Sequence, residues 1–121
     1  MSTRGHDIEV APASDQVVVR VGDVVVATSS RPVVLTETGC PPRYYLPAED
    51  VKTDLLRSSD TTSHCPFKGD AVYFSVETDG GVAEDVIWSY PEPFPRVEQV
   101  KDLYAFWSEK PGVTLEVNGQ A

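Results

Sequence analysis

The stretch QVVVRVGDVVVATS, residues 16–29, constrains the fold more than any other part of the chain. Two β-branched runs, Val17–Val21 and Val24–Thr28, flank a two-residue loop, Gly22-Asp23. Valine loses rotamer freedom in a helix and packs well on a pleated surface, so each run favours a strand. A two-residue loop with glycine first is the signature of a type II′ hairpin. Both runs are apolar at nearly every position, which predicts strands covered on two sides.

Strand patterns continue along the chain. Arg31–Glu37 reads as the next strand, broken by Gly39, Pro41 and Pro42, and Arg43–Pro47 as a short extended piece. DAVYFSVET alternates Val72, Phe74 and Val76 against Ala71, Tyr73 and Ser75, and Asp85–Tyr90 returns beyond TDGG as a hairpin with a longer loop. Pro91–Pro95 is extended and excluded from any central strand. VEQVKDLYAFW is ambiguous: Val97 and Val100 fit a helical turn, Leu103–Trp107 a strand. Gly112–Gly119 closes the chain with period two. One helix is predicted near Glu49–Arg57, where Pro47, Glu49 and Asp50 suit a first turn and Val51, Leu55 and Leu56 form one stripe. The fold class is therefore mainly β: a bent sandwich or a small open barrel of about seven short strands with one short helix.

Composition bounds the rest. At 121 residues the chain has room for a single domain, expected over 15–121 behind a flexible arm, 1–14. The net charge of -9, with ten Lys and Arg, argues against nucleic acid, whose phosphates require a basic face. No apolar run approaches the roughly 20 residues of a membrane span, and the first fifteen residues lack the apolar core of a secretory signal. A cytoplasmic protein, monomer or homodimer, is expected. Cys40 and Cys65 are the only cysteines; without paired knuckles they predict neither a metal site nor a cofactor.

Chemistry gathers in SSDTTSHCPFKGDAVYF, residues 58–74, read as a polar, turn-rich loop feeding a strand. His64, Cys65 and Lys68 lie within five residues. Adjacent side chains on an extended chain point to opposite faces, so His64 and Cys65 are not expected to form one dyad. Cys65 is a candidate nucleophile, and His64 or Glu37 a candidate acid or base. Lys68 precedes Gly69, where a backbone without Cβ lets something approach closely. Its ammonium suits an anion, and Lys68→Met is expected to act as a surface substitution, within about 0.5 kcal/mol in stability. Arg31 and Glu37, six residues apart, share a face of one predicted strand. Tyr45, Tyr73, Trp88 and Tyr90 supply aromatic walls with polar tips. The expected site is a small-molecule pocket, with Arg31 and Lys68 holding an anionic group. A non-catalytic module gripping a peptide or metabolite, and a structural accessory with the same residues locked in hydrogen bonds, fit the residues too.

Several segments in order, VVATSSRPVVLTETG, PPRYYLPAEDV, DLLRSSDTTSHCPFKGDAVYFSV and IWSYPEPFP with YAFW behind, resemble the family catalogued as domain of unknown function 427. The resemblance covers roughly Val18 to Val117 and is most specific at HCPFKGDA. It implies a small, mainly-β, tent-like protein related to folds that often carry zinc; the cysteine knuckles of such folds are missing here. Some catalogues label the family a nucleotidyltransferase. The residues offer no Gly-Ser helix start followed by an Asp-x-Asp pair for that chemistry.

Overall fold

The structure is a computed structural model that describes residues 7–120. Among the described residues ten strands form two antiparallel sheets, with no closed barrel. In chain order they are β1 (Ile8–Pro12), β2 (Val17–Val21), β3 (Val24–Ser29), β4 (Val33–Glu37), β5 (Arg43–Leu46), β6 (Leu56–Cys65), β7 (Gly69–Thr78), β8 (Gly81–Ser89), β9 (Tyr104–Phe106) and β10 (Val113–Val117). The large sheet runs β1-β4-β5-β9-β8-β7-β6 and the small one β10-β2-β3. The mainly-β expectation holds, with ten strands in place of about seven.

The β2–β3 hairpin forms as its sequence dictates. Val21 faces Val24, and of the two loop residues only Gly22 takes a positive φ, 59°. Covering on two sides is corrected for β2: Val17, Val19 and Val21 are buried while Val18 and Arg20 are half-exposed. This sheet presents one face to the core. That face meets Leu46, Val76, Ile87 and Phe106 of the large sheet in one largely aliphatic cluster, against which Tyr44, Phe74 and Tyr104 also pack. Burying a Val, Leu, Ile or Phe side chain stabilises by about 1.5–3 kcal/mol, so this contact holds the two layers together.

Three further expectations are corrected. Glu49–Arg57 is not a helix but two 3₁₀ turns, Ala48–Asp50 and Thr53–Leu55, separated by an extended Val51. Val51 bridges to Ala27, and the Lys52 N–H donates to the Val26 carbonyl at 2.8 Å. That pairing with β3 outweighs local helix propensity, which is a weak preference. The loop expected from Ser58 to His64 is β6, an edge strand whose polar side chains face water; its Ser and Thr residues suit an edge that buries little. The β7–β8 connection is tight, with Thr78 facing Gly81. Within the segment expected as an arm, Ile8–Pro12 pairs with β4; residues 1–6 lie outside the described residues. Val97 and Val100 do belong to a 3₁₀ turn, Pro95–Val100, and Tyr104–Phe106 to a strand.

Candidate functional site

Strand register builds the site. Residues directly opposite one another share a face, and one row crosses five strands: Val33, Tyr45, Ala105, Trp88 and Tyr73. Ala105 is the small member. Over its methyl group Tyr45 and Trp88 meet edge to face, with centroids 6.3 Å apart, and Trp88 Nε1–H donates to Tyr45 Oη at 3.0 Å. Trp107, two residues beyond Ala105, stands nearly perpendicular to Trp88 at 6.2 Å. Edge-to-face packing is the favourable arrangement for such rings. The result is an aromatic floor and wall on the face opposite the aliphatic cluster.

Above this wall lies a cleft of about 250 Å³. Its apolar lining is Leu35, Tyr73, Trp88, Tyr90 and Trp107; Glu37, Lys68, Arg43 and Cys40 supply the polar groups. Lys68 Nζ donates to Glu37 Oε1 at 2.7 Å, with only 15% and 10% of the two side chains exposed. Lys68 is therefore not the surface lysine its sequence context suggests. It is held from behind: its N–H donates to the Cys65 carbonyl and its carbonyl accepts from the Phe94 N–H at 2.9 Å. The close approach that Gly69 permits is made by the chain itself. A Cβ there would lie 3.2 Å from the Glu92 carbonyl oxygen, and φ is +121°. The proline-rich strap, residues 91–95, thus fixes the turn that presents Lys68.

Arg43 is committed elsewhere. Its guanidinium bonds Glu109 at 2.8 Å and stacks over Trp88 at 5.2 Å from the ring centre. That hydrogen bond holds the Glu109 carboxyl below its ordinary range. Burial pushes the Tyr45 phenol up to about 12, and burial together with the neighbouring Tyr45, Cys65, Tyr73 and Glu37 raises Tyr90 further. Both phenols are therefore protonated at neutral pH.

Of the residues singled out by sequence, Glu37, Lys68, Tyr73, Trp88 and Tyr90 come together around the cleft. Tyr45 lies beneath it, fully buried. Cys65 is half-buried and close enough to raise both phenols, but it does not line the cleft. His64 and Arg31 lie elsewhere. His64 is exposed and pairs with Asp70 at 2.6 Å, since strand alternation sends it to the face away from Cys65. Arg31 precedes β4 instead of lying in it, and reaches Asp50 at 3.1 Å. Sequence reasoning missed Arg43, Cys40 and Trp107; the YAFW run held the signal for Trp107, but only the order β5-β9-β8 brings it here. Among the described residues no three His, Cys, Asp or Glu side chains are grouped to hold a metal ion.

Fold and site together define a two-sheet antiparallel β protein whose larger sheet carries an aromatic-walled cleft with a sunken lysine–glutamate pair. The family model described as "Domain of unknown function (DUF427)" matches residues 9–118, and the chain belongs to that family. No curated protein matches it significantly. Among the described residues no helix is long and apolar enough to cross a membrane.

Proposed function

We propose that the cleft binds a small organic molecule carrying negative charge, with Lys68 as its charged anchor and Trp88, Trp107 and Tyr73 as the seat for its apolar part. The observation that carries this reading is the Lys68–Glu37 pair at the edge of an aromatic cavity. Taking two charges out of water costs more than packing hydrophobic residues in their place, so such a pair is a poor way to build a core. A cavity with apolar walls and a few fixed polar groups is an ordinary way to build a recognition site. Glu37 orients the ammonium. We read the setting as cytoplasmic, in keeping with two free thiols, and the acidic surface as unsuited to nucleic acid.

The test is a thermal-shift screen with small carboxylates and phosphates. A binder at 100 times its dissociation constant stabilises by about 2.7 kcal/mol, enough for a clear shift. Lys68→Met should remove most of that shift. A variant that keeps the full wild-type response would overturn the reading.

A further inference from the structure

Tyr90 follows β8 directly, where Pro91 ends the strand, and the residue is almost wholly removed from solvent, with 5% exposed. It lines the cleft, yet among the described residues no protein group hydrogen-bonds its hydroxyl. The neighbouring polar tips are engaged: Trp88 donates to Tyr45, and Tyr73 Oη lies 3.0 Å from Ser63 Oγ. Buried hydroxyls are nearly always satisfied, and that of a cleft-lining residue with no partner among the described residues is open to a partner in the cleft. The phenol stays protonated, so it can donate throughout the working pH range.

Resting on the binding reading above, we infer that Tyr90 and Lys68 together hold one end of the ligand, and that the ligand is a small planar monocarboxylate. The Tyr90 hydroxyl and the Lys68 ammonium each donate to a carboxylate oxygen. Four features favour this class over a phosphate ester. Glu37 sits 2.7 Å from Lys68, so part of the ammonium charge is already balanced and a dianion would meet a fixed carboxylate. Phosphate sites recruit backbone N–H groups from helix starts or nests, and none of the described residues lining this cleft belongs to a helix. Arg43, whose fork would suit phosphate, is bonded to Glu109 and stacked on Trp88. Trp88 and Trp107, 86° apart and each covered on one face by a cation, Arg43 or Lys110, wall a volume below the roughly 300–1,000 Å³ of drug-sized sites. An unsaturated acid with a single ring fits that shape.

The experiment is titration by calorimetry or ligand-observed NMR of benzoate, trans-cinnamate and phenyl phosphate against wild type, Tyr90→Phe and Lys68→Met. Expected is binding of the two carboxylates and not of the phosphate, weakened by about 10- to 100-fold in each variant, as for loss of a hydrogen bond to a charged group. Without ligand, Tyr90→Phe should melt at or above the wild-type temperature, because it removes a hydroxyl that no group among the described residues satisfies. Binding that needs Lys68 but ignores Tyr90→Phe would overturn this inference and leave the binding reading standing. So would a site that prefers phenyl phosphate. Carboxylate binding insensitive to Lys68→Met, or no binding by any of the three probes, would bring down both. A Tyr90→Phe protein with a lowered melting temperature and unchanged affinity would assign the hydroxyl to the fold and overturn the inference.

Discussion

The two faces of the seven-stranded sheet are built from different materials. One presents Leu46, Val76, Ile87 and Phe106 to the small sheet in a cluster of hydrophobic side chains. The other gathers Leu35, Tyr45, Ala71, Tyr90 and Ala105 under the 3₁₀ turn that carries Val97 and Val100, and leaves a cleft holding Lys68 and Glu37. The first face is close to the best use of apolar area for stability. The second keeps buried hydroxyls, an indole N–H and an ion pair, each of which costs solvation when it leaves water. A single strand serves both ends: in β5 Leu46 points to the aliphatic side and Tyr45 to the aromatic side. The period-two alternation of strands separates holding the fold from recognising a ligand within one sheet.

The largest effect that tests this contrast is on the aliphatic face. Leu46 is fully buried there, and Leu46→Ala should cost about 2–5 kcal/mol through lost transfer energy and a residual cavity. Urea unfolding should show a lower midpoint at unchanged slope. A loss below about 1 kcal/mol, within the range of tolerated volume-conserving swaps, would mean that the two sheets are not held together by this cluster.

The aliphatic face was also the more legible in sequence. Val17–Val21 and Val24–Thr28 announced their hairpin through β-branching and Gly22, and Val72, Phe74 and Val76 their strand through alternation. These are local signals. The helix expected near Glu49 failed because its stripe is used otherwise. Val51 pairs with Ala27, and the Asp50 carboxylate takes hydrogen bonds from Ser29 and Arg31. The edge strand β6 escaped notice because an exposed strand needs no apolar alternation. The cleft was legible as a set of residue types around Lys68 but not as a place. Arg31 fell out because β4 begins only at Val33, and Trp107 entered because β9 inserts between β5 and β8. Strand order depends on contacts distant in sequence, and no local pattern encodes it.

The aromatic face makes an intermediate prediction in alkali. Tyr45 has its pKa raised to about 12 by burial, and Tyr90 is raised too. A raised folded-state pKa means stability that is complete below the unfolded value of 10 and lost as pH rises through the folded value. Between pH 10 and about 12 the protein should lose stability progressively. Tyr45 alone should contribute about 3 kcal/mol to that loss, because its pKa lies at about 12 in the folded protein and at 10 in the unfolded chain. Tyrosinate absorbance should show part of its amplitude rising together with the loss of far-ultraviolet β signal. If every tyrosine ionises below about pH 11 with the sheet intact, the phenols are not in the dry environment described here.

The smallest effects discriminate best between the faces, because they set two ion pairs of the same chain against each other. Lys68–Glu37 is sunk in the aromatic face; Arg31–Asp50 lies on the surface, with 61% of the arginine side chain exposed. Double-mutant cycles with Lys68→Met and Glu37→Gln should give a coupling within about 0.5–3 kcal/mol that survives roughly 1 M salt, since little solvent separates or screens the charges. The cycle with Arg31→Met and Asp50→Asn should give a much smaller coupling that salt erases. Acid adds a check of sign. Hydrogen bonds from Arg31 and Ser29, with the arginine's charge, hold the Asp50 carboxyl below its ordinary value of 3.8. Its contribution is therefore present above pH 3.8 and lost as pH falls through the lower folded value, so wild type and Arg31→Met should converge in stability as pH falls below 3.8. A surface pair as strongly coupled and as salt-resistant as Lys68–Glu37 would remove the reason for treating the cleft pair as a built recognition element.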